Sequence, residues 1–128
     1  MSERIFKRKI YSKLKEWKEN SNGKSALLLE GARRIGKSTV VEEFGQKEYR
    51  SYILIDFNEA SKGVKDLFDD LMDMDYIFLY LQNVFKTTLY ERESVIIFDE
   101  VQQCPKARQA IKYLVKDGRY DYIETETL

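Results

Sequence analysis

The run GARRIGKS at residues 31–38 places a glycine, a lysine and a hydroxyl side chain in succession, five residues after another glycine. Gly31, Gly36, Lys37 and Ser38 fit the spacing G-x-x-x-x-G-K-[ST], in which a backbone loop wraps a chain of phosphates. The chemistry requires these residue types. Glycines let the main chain bend closely around an anion without a Cβ in the way, and successive N–H groups then point into one concavity. The lysine reaches the terminal phosphates, and the hydroxyl meets the divalent cation that travels with them. Gly31, Ala32, Arg33, Arg34, Ile35, Gly36, Lys37, Ser38 and Thr39 are therefore expected to hold phosphate. The run also breaks a rule, because a helix start carries the positive end of the macrodipole and favours acids. A bound polyphosphate would turn the crowded Arg33, Arg34 and Lys37 into complementary charges, and local conflicts of this kind are expected where function resides. For the two arginines alone, pointing into water is the simpler alternative.

A second cluster has the opposite sign. The apolar run VIIF leads directly into Asp99 and Glu100, two adjacent carboxylates that repel one another unless a cation or proton intervenes. A hydrophobic run followed by Asp-Glu resembles a Walker B motif. In that reading Asp99 holds Mg²⁺ through water, opposite the Ser38 hydroxyl, while Glu100 polarises the attacking water and Lys37 serves the reaction from the phosphate side. The plain alternative is a pair of acids capping the turn after a strand. The residues Asp99-Glu100-Val101-Gln102 stand where a GTPase would show Asp-x-x-Gly, and no Asn-Lys-x-Asp guanine reader is present, so ATP is the expected nucleotide.

The elements needed to position these groups follow from apolar spacing. ALLLE (26–30), YILIDF (52–57) and VIIFDE (95–100) are short continuous apolar runs, as expected of strands covered on both faces in a parallel sheet, and YDYIET (120–125) is a fourth candidate. Between them lie helical stripes: Ile5, Phe6, Ile10, Leu14 and Trp17; Val40, Val41 and Phe44; Val64, Leu67, Phe68, Leu71 and Met72; Ile77, Phe78, Leu81, Val84 and Phe85. The last helix is expected to begin at Pro105, carry Ala107, Ala110, Ile111, Leu114 and Val115 on one face, and stop at Gly118. Alternating strands and helices predict a doubly wound α/β domain of three layers with a mainly parallel sheet, whose ligands bind beyond the carboxyl ends of the strands.

Composition narrows the field further. The chain has 128 residues, 43% hydrophobic and 34% charged, which suits one globular core. It has no histidine and one cysteine, Cys104, so a zinc site, a Cys-His nucleophile and a Ser-His-Asp triad cannot be built from it. Basic and acidic residues balance at 22 each, leaving no global field to argue for nucleic acid or membrane. The distribution is uneven, with a basic first helix over 4–18 and an aspartate-rich segment over 56–75. The basic face reads as solvated surface or as a docking face for nucleic acid or a protein partner. No apolar run is long enough to span a bilayer, no secretory signal is evident at the amino terminus, and a cytoplasmic location is expected.

Taken together, LLLEGARRIGKSTVVEEF, YILIDF, VIIFDEVQQCP and ARQAIKYLVKDGRYDYIET resemble the predicted prokaryotic AAA+ ATPases. In those proteins the phosphate loop reads Gly-Ala/Pro-Arg-Arg/Gln-x-Gly-Lys and the acidic strand end runs into Asp-Glu-x-Gln. The resemblance covers the chain from about residue 20, with residues 1–20 forming an amino-terminal basic helix and residues 21–128 a partial P-loop ATPase domain. It implies binding and hydrolysis of ATP, with ADP as product, coupled to movement of an attached domain. By the family's Thr-Gly-Ser-Leu strand end, Thr125 would be the polar sensor near the γ-phosphate, although Glu126 replaces glycine beside it. The family's fifth strand, helical lid and trailing arginine have no counterpart before Leu128. An open edge on the phosphate-loop strand, self-association through it, and slow turnover are the expected consequences. Two rival functions remain: a nucleotide-binding interaction module without turnover, and a small-molecule kinase, which the Asp-Glu pair disfavours.

Overall fold

A computed structural model of the chain describes residues 3–32 and 36–128. The amino-terminal helix α1 (Glu3–Ser21) leads into β1 (Leu27–Gly31) and α2 (Lys37–Glu48). There follow β2 (Ser51–Asp56), α3 (Lys62–Asp66), a 3₁₀ turn (Leu67–Asp69) and α4 (Met74–Phe85). The chain then runs through β3 (Ser94–Asp99), a second 3₁₀ turn (Val101–Gln103), α5 (Pro105–Asp117) and β4 (Asp121–Thr127).

The strands form one four-stranded sheet in the order β1-β4-β3-β2, parallel throughout. Their side chains alternate between two cores, as the strand period of two requires. Val95, Ile97 and Ile123 face α1 and α2, where they meet Ile10, Leu14, Val40, Val41 and Phe44. Ile53, Ile55, Ile96, Phe98 and Tyr122 face the opposite layer, packing with Phe68, Ile77, Phe78, Leu81, Ala107, Ala110 and Leu114. Burial on both faces explains why the strands read as continuous apolar runs. The expected three-layer α/β architecture is thus the one observed.

α1 is held to α2 by more than aliphatic contact. Tyr11 meets the Phe44 ring edge-on at 5.4 Å, and its hydroxyl donates to Glu48 Oε2 at 2.6 Å. Partial burial, and then that acceptor, push the Tyr11 hydroxyl up to about 12, so it stays protonated and donating. On the other face Phe98 is the hub of an aromatic cluster. Phe57, Phe68 and Tyr122 approach it edge-on at 5.5, 5.2 and 6.1 Å. These contacts fix the end of β3, immediately before the two acids.

Three expectations need correction. The stripe Val64 to Met72 is not one helix: α3 ends at Asp66, the chain tightens into a 3₁₀ turn, and Met72 stands 92% exposed. Aspartate side chains account for the break. Asp70 Oδ1 accepts from Met72 N at 2.9 Å, and Asp73 Oδ1 accepts from Tyr76 N at 3.0 Å, capping α4. These local bonds offer the backbone an alternative to continuing the helix. Second, Val84 is exposed instead of lining the core, because α4 stops one residue later with Lys86 in the left-handed conformation. Third, β4 runs to Thr127, beyond the expected limit of 125. Pairing of Gly31 with Thr127, and a bond from Leu128 N to Gly31 O at 3.0 Å, carry the ladder onward.

Candidate functional site

β1 feeds α2 on one face of the sheet, whereas β3 feeds α5 on the other, so the connections diverge at the carboxyl edge. A crevice opens where connections part in this way. Gly36, Lys37, Ser38, Thr39, Asn58, Glu100, Gln102, Gln103, Thr127 and Leu128 line a cleft of about 680 Å³ there.

The start of α2 is built for an anion. Gly36 caps the helix in the left-handed conformation, φ +77°, which a side chain rarely adopts, and no side chain caps the first turn. The first N–H groups of a helix lack intrahelical acceptors, so an oxyanion can take them. Lys37 is buried, and its ammonium donates to Gly31 O at 3.2 Å, Ala32 O at 3.1 Å and Thr127 Oγ1 at 3.3 Å. The lysine therefore reaches back to the end of β1 and the tip of β4. Arg33, Arg34 and Ile35 lie outside the described residues.

Ser38 and the acidic cluster meet directly. Ser38 Oγ donates to Asp99 Oδ1 at 2.7 Å, joining the first turn of α2 to the end of β3. The same oxygen accepts from Thr125 Oγ1 at 2.6 Å. Thr125 is fully buried and also accepts from Glu100 N at 2.9 Å. It sits behind Asp99, bracing both acids from inside, and does not line the cleft.

Glu100 occupies left-handed space at φ +56°, a conformation costing about 1–3 kcal/mol for a side chain of this kind. Its N–H bond to Thr125 and the bond from Gln103 N to Glu100 O at 3.0 Å hold it there. From this conformation the carboxylate lines the cleft, where Thr127 Oγ1 donates to Oε1 at 2.5 Å and Gln102 Nε2 donates to Oε2 at 2.6 Å. Burial pushes the Glu100 carboxyl up, but those two hydrogen bonds and the Lys37 charge together outweigh it and leave the group below its ordinary value. Glu100 is thus ionised, with a donor on each oxygen.

The structure brings Gly36, Lys37, Ser38, Thr39, Asp99 and Glu100 to one rim, with Gly31 and Ala32 supplying carbonyls to the lysine. Thr127, Asn58, Gln102 and Gln103 join them unforeseen. Period alone puts Thr127 on the face of Thr125, since residues two apart on a strand share a face. Glu126, beside Thr125, pairs with Arg108 at 2.8 Å.

Opposed charges at the mouth of a parallel sheet, joined through a glycine-capped helix start, define a P-loop nucleotide-binding domain. Residues 23–127 match the family described as AAA domain, and the chain belongs to that family. Among solved structures it is similar to PCH-2 of C. elegans, with a TM-score of 0.55 and 15% identity over 95% of this chain. The match spans 37% of that longer chain, and at this identity the likeness is one of fold. No curated protein matches. Among the described residues, no helix is long and apolar enough to cross a membrane.

Proposed function

We propose that the domain binds ATP at this cleft and hydrolyses it in a Mg²⁺-dependent reaction coupled to movement of an attached domain or partner, in the manner of prokaryotic AAA+ proteins. The observation that carries the reading is the Lys37–Thr127–Glu100 chain beside the Ser38–Asp99 bond. It links the phosphate loop to the acidic strand end within one cleft.

Each residue has a part. The backbone around Gly36 and the Lys37 ammonium bind the β- and γ-phosphates, with Thr39 at the same helix turn. Lys37 now spends its donors on carbonyls and Thr127, and exchanges them for phosphate oxygens. Glu100, ionised and aimed into the cleft, orients the attacking water and accepts its proton. Thr127 stands between these two groups, donating to the acid and accepting from the lysine, and so reports whether phosphate has displaced the lysine. Thr125 keeps Asp99 and Glu100 in register from behind.

The donor set fits Mg²⁺. Ser38 Oγ and Asp99 Oδ1 are hard oxygens from facing elements, and the described residues contain no cluster of three or more His, Cys, Asp or Glu to cage a metal by themselves. A cation that completes its shell with water and phosphate suits such a site. Bound there by Ser38 and Asp99, Mg²⁺ supplies charge neutralisation of the polyphosphate.

Nucleotide binding without turnover is the second reading, favoured by the capping of both Glu100 oxygens. Phosphate release by the wild-type chain, Glu100→Gln and Lys37→Ala, each with and without magnesium, separates the two. Hydrolysis predicts a loss of about 10²-fold or more in Glu100→Gln with binding retained, and loss of nucleotide binding in Lys37→Ala. Equal, slow release by wild type and Glu100→Gln selects the binding module, and full nucleotide affinity in Lys37→Ala overturns the loop assignment.

A further inference from the structure

The first turn of α1 lies against Gly36, at the start of α2. A Cβ built on Gly36 would come within 3.1 Å of Lys7 Cε and 3.9 Å of both Lys7 Nζ and Glu3 Oε1. The glycine that caps α2 thus has a second cation at its surface, delivered by an element far from it in sequence. Placement of this lysine is not accidental to a loose tail. α1 is seated on α2 by buried Ile10 and Leu14 and by the Tyr11–Glu48 hydrogen bond, one to two helical turns beyond Lys7.

From this approach we infer that Lys7 is a further phosphate-binding residue of the cleft, with Glu3 holding its ammonium until a nucleoside polyphosphate arrives. The inference rests on the nucleotide-binding reading above. Lys7 pairs with Glu3 one turn earlier at 3.2 Å, and both side chains reach solvent, at 35% and 71% exposure. An ion pair so exposed is weak, because water screens it and two long side chains must be ordered to make it. A polyphosphate concentrates several charges at one point and accepts charge-assisted bonds, so it competes well for the same ammonium. The four-carbon lysine stem allows the head to turn from Glu3 to the anion while α1 stays seated. Gly36 has to remain glycine on both counts, since its φ favours no side chain and a Cβ would crowd the Lys7 stem. α1 thereby becomes part of the nucleotide site as well as part of the core, and nucleotide occupancy is felt by the basic helix.

Titration calorimetry of Mg-ATP, ADP and adenosine against wild type, Lys7→Ala, Lys7→Arg and Glu3→Gln tests this. Lys7→Ala is expected to weaken Mg-ATP by about three- to tenfold, as for loss of one partly exposed charge-assisted contact. Adenosine affinity and melting temperature stay unchanged, because only the phosphates are touched. Lys7→Arg restores most of the affinity, and Glu3→Gln, which removes the competing carboxylate, tightens it. If wild type binds Mg-ATP and neither Lys7→Ala nor Glu3→Gln alters that affinity, the role of Lys7 is overturned while the nucleotide reading stands. A wild-type chain that binds no Mg-ATP overturns both.

Discussion

Glu100 is the residue on which the proposed chemistry turns, and its surroundings oppose one another. Its conformation is strained, its carboxylate is half-sequestered, and the donors that keep it ionised also occupy the lone pairs a water would need. Releasing one donor therefore has two readable effects. In Gln102→Ala, Oε2 is freed, and basal phosphate release is expected to rise roughly two- to fivefold, equivalent to about 0.5–1 kcal/mol for one hydrogen bond. The pH profile shifts in a defined direction. With Gln102 present the Glu100 carboxyl lies below its ordinary value, so the proposed activity is expected to persist to lower pH and to fall only as pH drops through that depressed value. Loss of the Gln102 bond raises the carboxyl, and the acid limb of the rate profile moves to higher pH. A variant with unchanged rate and unchanged acid limb would show that Gln102 does not restrain the acid. How far such detail can be read from sequence is visible at Thr125 and Thr127. Both hydroxyls sit on the same face of β4, and the motif drew attention to the first. Only the register, Gly31 against Thr127, shows that the second meets Lys37 and Glu100 while the first is walled in behind Asp99.

At the scale of elements, boundaries were legible where a residue type dictates the backbone and obscure where side chains compete for it. α5 begins at Pro105 and ends at Gly118, as proline at the first helical position and glycine after the last require. Gly118 has φ +84°, donates its N–H to Leu114 O at the helix end, and has open room about its Cβ position, with nothing nearer than 3.8 Å. The cost of a side chain there is purely conformational. Gly118→Ala is accordingly expected to lose about 1 kcal/mol by urea denaturation, with unchanged slope. A larger loss would mean that the turn after α5, where Arg92 donates to Gly118 O at 3.2 Å, carries tertiary strain as well. The segment after α3 was obscure for the opposite reason. Its apolar spacing is helical through Met72, but Asp70 and Asp73 bond to backbone N–H groups and divide the stretch between a 3₁₀ turn and the start of α4. Hydrophobic period reports which face is apolar, and says nothing of a side chain that replaces the next helical hydrogen bond.

Across the whole molecule, the doubly covered parallel sheet was legible from three apolar runs and a weaker fourth, YDYIET, while strand order was not a matter of composition. The order β1-β4-β3-β2 puts the phosphate-loop strand at an edge of the sheet, paired with β4 alone among the described residues. That edge lacks the usual guards. Leu27, Leu28 and Leu29 lie side by side half-buried, Glu30 is the single charge, and neither proline nor lysine interrupts the strand. The unpaired N–H and C=O groups of an extended strand are a template for another strand, and flanking leucines add apolar area to each pairing. The 128-residue chain is therefore expected to self-associate in a concentration-dependent way through β1. Sedimentation velocity over a micromolar concentration series measures this directly, and Leu28→Lys, which places a charge on the edge without touching the cleft, is expected to shift the population toward monomer. Association that persists undiminished in Leu28→Lys would move the contact elsewhere on the molecule. A wild-type chain that sediments as monomer throughout would show that the β1 edge does not pair, even with its leucines half-exposed.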